Sequence, residues 1–174
     1  MGADEALVIL SQEQYEHEVD QRRVGVPLSS PASRKTPDSP AVNAWSTVKF
    51  TSKDKKRRTI PTRTGNSLLG WRHFSNKHNI TRPHVIKTIV QNTQNPGKDK
   101  DRPHRLVYDG VLASKPGPLD PPRKLASIRI IVQYHWQTDD GKHSLANHHD
   151  KVGVITAYCR NVARNRCPDK VNEA

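Results

Sequence analysis

The chain has 174 residues, with 29 Lys and Arg against 17 Asp and Glu, and therefore a formal net charge of +12. Only 33% of the residues are hydrophobic, and no apolar run approaches the ~18 residues of a membrane span, which argues against a transmembrane protein. Cys159 and Cys167 are too few for a disulfide scaffold or a four-thiolate metal site. We therefore expect a soluble, basic protein in which Cys159 is a buried thiol.

The charge is distributed unevenly along the chain. Residues 1–25 hold six acids and two bases, a net of −4, so the other 149 residues carry +16. No glutamate lies between Glu18 and Glu173, whereas eight of the nine histidines lie at or after His73. A basic, His-rich body favours a phosphate-bearing partner and imidazole chemistry. It argues against a glycosidase, which needs two carboxylates across the sugar.

The leading segment is predicted to be a helix. Residues 4–24 contain neither Gly nor Pro and show apolar residues along one side, so we expect an acidic helical extension over 1–25. Its apolar run follows Asp4 and Glu5 instead of a basic region, which argues against a signal peptide.

Residues 26–63 read as a Pro/Ser-rich and basic linker. Alternation from Trp45 to Phe50 indicates one short strand within it. The basic run from Lys53 to Arg58 is equally consistent with a solvated loop, a cleavage or targeting tag, or a nucleic-acid contact.

Periodic structure is predicted from residue 64 onward. Leu68 to Asn79 has the pattern of a helix, and Thr81-Arg82-Pro83 opens a second helix. Alternation then predicts three strands, over 105–112, 127–137 and 151–158. Two helices followed by an antiparallel β meander indicate an α+β domain over 64–160, followed by a basic tail at 161–174.

The first of these helices carries the main candidates for proton transfer. His73 and Lys77 stack at i,i+4, and His78 lies beside an apolar stripe at the helix end. Partial desolvation of an imidazole lowers its pKa, which suits a general base. The alternative is that each histidine is a packed structural residue.

Further candidates lie on the strands. Arg105 has the forked donors that bind a phosphate, or is one more surface arginine. Thr156 and Tyr158 share a face on which they can contact a phosphate and a base, although Tyr158 also fits a core position. Residues 143–150 lack a second carboxylate or a cysteine at ligand spacing, so no metal site and no cofactor are expected.

The order of these motifs resembles the BECR (barnase–EndoU–colicin–RelE) ribonucleases, which are toxin domains of bacterial polymorphic and contact-dependent systems. The resemblance covers 64–160 and rests on a Trp-x-His-x-x-x-x-His helix, an Arg-x-x-Tyr strand and a final Ile-Thr-Ala-Tyr strand. The site residues that it implies are His78 supported by His73, Arg105 followed by Tyr108, and the terminal pair Thr156 and Tyr158.

The resemblance also implies a biological setting. Such domains usually act without a metal and are neutralised by a small cognate immunity or antitoxin protein, here expected to be acidic. It implies an effector that is secreted or delivered and acts in the target-cell cytoplasm, as a monomer apart from its inhibitor. The Pro-rich loop at 114–123 and the His-rich turn depart from the family pattern.

The expected reaction uses the ribose hydroxyl of RNA as the nucleophile, so the protein needs a base, an acid and a cationic donor. We expect His78 to remove the hydroxyl proton, Arg105 to stabilise the phosphate charge with help from Lys77, and Thr156 to bind a phosphate oxygen. The second proton-transfer residue stays open among Tyr158, His73 and His135. The residues expected to contact RNA are Lys77, Tyr108, Arg129, His135 and Lys151.

The sequence thus predicts a metal-independent endoribonuclease toxin that cleaves tRNA or another cellular RNA through a cyclic phosphate. The alternative is a non-catalytic basic nucleic-acid-binding protein, because charge supports binding and cleavage equally. An aromatic fraction of only 5% is thin for a base-stacking platform. A third class is a protein-interaction module in which the acidic segment docks on the basic face.

Overall fold

The computed structural model describes residues 6–21, 45–117 and 119–174. In chain order its elements are β1 (Ala6–Ser11), α1 (Gln12–Gln21), β2 (Val48–Lys53), β3 (Thr59–Arg63), α2 (Gly70–His78), α3 (Pro83–Asn92), β4 (Gly97–Lys98), β5 (Arg105–Lys115), β6 (Arg123–Gln133) and β7 (Gly153–Arg160). Two 3₁₀ turns follow, at Ala163–Asn165 and Asp169–Asn172. None of the helices in these ranges is long and apolar enough to cross a membrane.

The main sheet has five antiparallel strands, in the order β1–β5–β6–β7, with β4 beside β1 on the same edge of β5. β2 and β3 form a separate hairpin. Helices combined with antiparallel sheets confirm the α+β class, and the meander of β5, β6 and β7 follows two helices as expected.

The core lies between α3 and one face of the main sheet. The register aligns Tyr108 with Ile130 and Ile130 with Ala157, and all three side chains are buried. α3 contributes an apolar stripe to the same cluster, made by Val85, Ile86, Ile89 and Val90. Because strand side chains alternate, the neighbours of these core residues lie on the opposite face of the sheet. We call that the outer face; it carries Arg105, Asp109, Arg129, Thr156 and Tyr158.

The prediction of a helix over 4–24 is wrong for its first half. Ala6–Ser11 is a strand that pairs with β5, and the helix begins only at Gln12. Ser11 Oγ accepts from the Gln14 amide at 3.2 Å, and Gln14 Oε1 accepts from the Ser11 amide at 3.0 Å. This capping box sets the helix start. A short apolar run is ambiguous between helix and strand, and pairing with the edge of β5 resolved it.

The predicted linker contains the β2–β3 hairpin; its residues 26–44 lie outside the described ranges, as do residues 4–5 and 22–24 of the predicted helix. The basic run forms the hairpin turn around the buried carboxylate of Asp54. That carboxylate accepts from the backbone amide and Nε of Arg58, at 2.9 and 2.8 Å. It also accepts from the Tyr108 hydroxyl at 2.7 Å. Tyr108 is completely buried, which corrects the expectation that it contacts RNA.

The C-terminal residues are not a free tail. Cys159 and Cys167 form a disulfide, which corrects the expectation of a buried thiol. Cys167 and Val171 are buried and belong to the core cluster. The loop 160–166 is therefore closed at both ends against the main sheet.

Gly110 packs so closely against Ile89 and Leu10 that a side chain there would clash, and this packing can be tested. A Cβ there would lie 2.5 Å from Cγ1 of Ile89 and 2.8 Å from the carbonyl oxygen of Leu10. We expect Gly110→Ala to lower the free energy of unfolding by about 1–3 kcal/mol through overpacking, as measured by urea denaturation. Gly97→Ala is the matched control, because its Cβ would meet Val107 at an ordinary 3.5 Å. Equal losses in the two variants would contradict this packing.

Candidate active site

A row of polar side chains crosses the outer face. The strand register aligns Asp109 of β5, Arg129 of β6 and Tyr158 of β7. Arg129 donates from Nε and Nη2 to the two carboxylate oxygens of Asp109, at 2.8 and 3.0 Å. The hydrogen bond to Asp109 raises the pKa of Arg129 despite partial burial. The guanidinium is therefore a fixed cation beside Tyr158.

His78 continues this row beyond β7. Helix α2 packs against β7 with Phe74 completely buried, which brings the last residue of the helix to the sheet. The His78 ring centroid lies 5.8 Å from that of Tyr158 and 5.4 Å from that of His73. Two imidazoles, a phenol and a guanidinium thus form one cluster, which we call the His78 cluster: His73, His78, Arg129 and Tyr158.

A backbone carbonyl sets the tautomer of the neutral His78 ring. Its Nδ1 lies 3.1 Å from the carbonyl oxygen of Asn165. A carbonyl oxygen only accepts, so Nδ1 carries the hydrogen and Nε2 keeps a lone pair in the neutral ring. Burial lowers the pKa of His78, and the charges of His73 and Lys77 lower it further. The ring is therefore neutral near pH 7, with one nitrogen able to accept a proton.

His73 is oriented in a similar way. Its Nδ1 lies 2.9 Å from the carbonyl oxygen of Ser67, so this nitrogen also carries a hydrogen. Unlike His78, which is 6% exposed, His73 is half-buried. The second imidazole is accordingly the more accessible member of the pair.

An open cleft of about 660 Å³ adjoins the His78 cluster. It is lined by Lys77, His78, Arg164, Asn165 and Arg166. The lysine and both arginines are exposed, so the cleft concentrates positive charge next to a neutral imidazole. This combination suits an anion such as a phosphodiester. The sequence assigned the two arginines to a basic tail, and only the Cys159–Cys167 spacing could have indicated a closed loop there.

Thr156 lies on the outer face, near the row formed by Asp109, Arg129 and Tyr158. It precedes Tyr158 by two positions on the same face of β7, and its Oγ1 is buried without a hydrogen-bond partner among the residues that the structure describes. It is therefore an available donor between the His78 cluster and the start of β5.

Arg105 is separated from the His78 cluster. It pairs with Gln133, whereas Tyr158 pairs with Arg129, which places it ~13 Å along the strands and ~10 Å across them. Its Nε lies 3.2 Å from a carboxylate oxygen of Asp139. The structure thus brings Arg129, and not Arg105, next to the paired histidines.

His135 and Lys151 lie beyond the C-terminal end of β6. His135 stacks on His104 with centroids 4.0 Å apart, and the Lys151 ammonium lies 4.9 Å from the Tyr134 ring. His135 lies six positions after Arg129, which corresponds to a rise of ~20 Å along a strand. His135 is therefore not placed to exchange protons with the His78 pair.

The same end of the sheet carries rings that sequence reasoning did not join. Trp136 stacks on His148 with centroids 3.8 Å apart and also contacts His135. Only the tertiary structure assembles this stack, because its members come from the segments before β5, after β6 and before β7.

Comparison with known proteins adds nothing to this geometry: no protein-family model, no curated protein and no solved structure matches the chain. Across 6–21, 45–117 and 119–174, no three His, Cys, Asp or Glu side chains are grouped as a metal site requires.

The disulfide holds the loop 160–166, which contains Asn165, against His78. The Cys167 amide donates to the His78 carbonyl at 2.9 Å, and Asn79 Nδ2 donates to the Cys167 carbonyl at 3.0 Å. The loop that sets the tautomer of His78 is therefore tied to both β7 and the end of α2.

Replacing Cys159 and Cys167 by serine tests this role. We expect the free energy of unfolding to fall by about 2–3 kcal/mol, as for other short disulfide loops, and the Nδ1–H of His78 to lose its partner. Urea denaturation and the NMR resonance of that proton measure the two effects. The wild-type protein in dithiothreitol should match the double variant, which itself should not respond to the reductant. An unchanged His78 resonance would contradict the positioning role.

Lys77→Met tests the electrostatics of the pair. Because the charge of Lys77 lowers the pKa of His78, its removal should move that pKa upward toward the ordinary value of ~6.5. Folding lowers the pKa of His78, so its protonation below about pH 6.5 favours unfolding, and the variant should lose less stability in acid. Lys170→Met is the control, and NMR titration of the His78 ring is the measurement. A fall in the pKa would be the wrong sign.

Proposed function

We propose that the protein is an endoribonuclease that cleaves RNA by general acid–base catalysis, with its own imidazoles carrying the protons. The observation that carries the proposal is the placement of the His78 ring, whose Nε2 keeps a lone pair, beside the rings of His73 and Tyr158 and next to a cationic cleft, with Arg129 aligned to Tyr158. RNA needs no added nucleophile, because its 2′-hydroxyl lies next to the phosphorus that is attacked.

The proposed reaction begins with proton transfer from the 2′-hydroxyl to Nε2 of His78. The 2′-oxygen forms a bond to phosphorus, the bond from phosphorus to the 5′-oxygen breaks, and the leaving oxygen takes a proton from His73. The products are a 2′,3′-cyclic phosphate and a 5′-hydroxyl. Solvent then removes the proton from His78 and returns one to His73.

The division of roles between the two histidines follows from their surroundings. Burial and the charge of His73 lower the pKa of His78, so the buried imidazole of His78 is neutral and suits the base, and the more accessible His73 is assigned the role of the acid. The reaction needs one group that accepts a proton and a second group that donates one.

The charge that develops on the phosphate meets several donors. Arg129 is held in place by Asp109, while Lys77, Arg164 and Arg166 surround the cleft. Donors that are oriented before the reaction stabilise the transition state more effectively than mobile ones. We therefore assign the central cationic role to Arg129, which the sequence expected to be only an RNA contact, and assign Tyr158 to positioning.

The wider biological setting belongs to the same proposal. A toxin neutralised by an acidic inhibitor is supported by the cationic cleft, because complementary charge speeds and directs association. A disulfide between Cys159 and Cys167 is typical of a chain that passes through an oxidising compartment. Both features support a secreted or delivered effector that acts on RNA in a target cell.

One observation favours the non-catalytic alternative. The exposed His104, the half-buried Trp136 and the exposed His148 form part of a stacked surface beside Lys151, and stacked rings with cations are typical of single-strand binding. The low aromatic fraction therefore counts less against binding than it does in the sequence alone.

Cleavage of total RNA and of a synthetic oligoribonucleotide by the full chain, in the presence of a chelator, tests the proposal. We expect fragments with cyclic-phosphate ends, and a loss of at least about 10²-fold in rate for His78→Ala, the lower range for one positioned base. His84→Ala is the matched control, because this exposed histidine lies on α3 away from the cluster. An oligonucleotide with 2′-deoxyribose at the cleaved position should stay intact. RNA that is bound and left whole would favour the non-catalytic alternative.

A further inference from the structure

A second cavity, of about 230 Å³, lies near the start of β5. Leu68 and Ile155 form apolar walls, Arg105 reaches it from the outer face, and the turn after β6 contributes Asp139 and His143. Ile155 directly precedes Thr156 on β7. Along β7, Thr156 therefore lies between the cavity and Tyr158 of the His78 cluster.

His143 brings a buried hydrogen-bond donor to this cavity. Asn66 Oδ1 accepts from the amides of Leu68 and Leu69, at 2.9 and 3.2 Å, which turns the amide nitrogen of Asn66 toward Nε2 of His143 at 3.0 Å. That nitrogen only donates, so Nε2 of His143 must accept and Nδ1 must carry the hydrogen.

This donor has no partner within the described part of the chain. The His143 side chain is 8% exposed, and its Nδ1 makes no hydrogen bond there. Buried donors are nearly always paired in folded proteins, because an unpaired one costs stability. The His143 ring packs edge-to-face with Trp45, and the residue also lines the cavity, so a ligand seated there can offer the acceptor that Nδ1 lacks.

Acceptors stand close to the same donor. The Asp139 carboxylate is held by Gln133 Nε2 at 3.1 Å and lies 3.2 Å from Arg105 Nε. The hydrogen bond from the Thr138 hydroxyl lowers the pKa of Asp140, which keeps this exposed carboxyl ionised. Arg102 and Arg105 line the cavity as well, so its two carboxylates are balanced by two cations, and the cavity offers both donors and acceptors to an occupant.

We propose that this cavity is a subsite for an unpaired nucleobase whose ring carbonyl is adjacent to a ring N–H, which is the edge of uracil and guanine; the assignment rests on the proposed ribonuclease function. The carbonyl accepts from Nδ1 of His143, and the ring N–H donates to a carboxylate of the turn. Cytosine presents an acceptor in place of that N–H, and adenine lacks the carbonyl. The faces of the base pack against Leu68 and Ile155.

The full chain is titrated calorimetrically with UMP, GMP, CMP and AMP, which share the phosphate and differ in the base. We expect UMP and GMP to bind at least about tenfold more tightly than CMP and AMP, because a site built around hydrogen bonds rejects a base that leaves its buried groups unpaired. His143→Gln keeps an acceptor for Asn66 at the position of Nε2 but has no donor at the position of Nδ1, because its amide nitrogen lies elsewhere, and it should abolish the preference. His84→Gln, the same change on an exposed surface, should retain it.

Leu68→Ala provides a second variant, because its side chain is 64% exposed and its truncation leaves the core intact; it should weaken the binding of UMP and GMP. Mononucleotides contain no phosphodiester bond, so these titrations do not depend on turnover. No binding, equal binding of the four nucleotides, or a preference that survives His143→Gln overturns the subsite, even if RNA is cleaved. If UMP and GMP are preferred but RNA stays uncleaved, the subsite is supported and the ribonuclease function is excluded.

Discussion

The register of β5, β6 and β7 is the constraint on which both the core and the candidate site depend. It aligns Tyr108 with Ile130 and Ala157 on the buried face, and Asp109 with Arg129 and Tyr158 on the outer face. A slip of one residue exchanges the two sets, which would bury charges and expose the apolar core. The hydrophobic burial that stabilises the sheet therefore also builds the row of polar groups.

The chemistry of the histidines depends on backbone groups from outside the sheet. Asn165 and Ser67 place hydrogens on Nδ1 of His78 and His73, and the disulfide anchors the first of these partners. His143 follows the same physical rule, with Asn66 setting its tautomer. In each case a fixed hydrogen-bond partner, and not the imidazole alone, decides which nitrogen can react or bind.

Local patterns predicted much of the fold and part of the site. The periods of α2, α3, β5, β6 and β7 are visible in the sequence because one face of each element is buried, although several boundaries moved by two to four residues. The histidine spacing on α2 and the Thr-x-Tyr at the end of β7 also led to His73, His78 and Tyr158. The alternation from Trp45 to Phe50 indicated part of β2. The strand at Ala6–Ser11 and the second strand of the hairpin around Asp54 were missed, since pairing with a distant strand and a long-range bond to Tyr108 leave no local period.

By itself the sequence determined a basic α+β chain with eight of its nine histidines at or after His73, because composition and periodicity are properties of neighbouring residues. Only the tertiary structure decided that Arg129 joins the histidines while Arg105 faces Asp139, because strand register sets distances between residues far apart in the chain. The tertiary structure also shows that part of the predicted tail at 161–174 is a loop closed by a disulfide, and that two arginines of this loop line a cleft. Contacts of that kind depend on how elements pack, and packing is not encoded in any single segment.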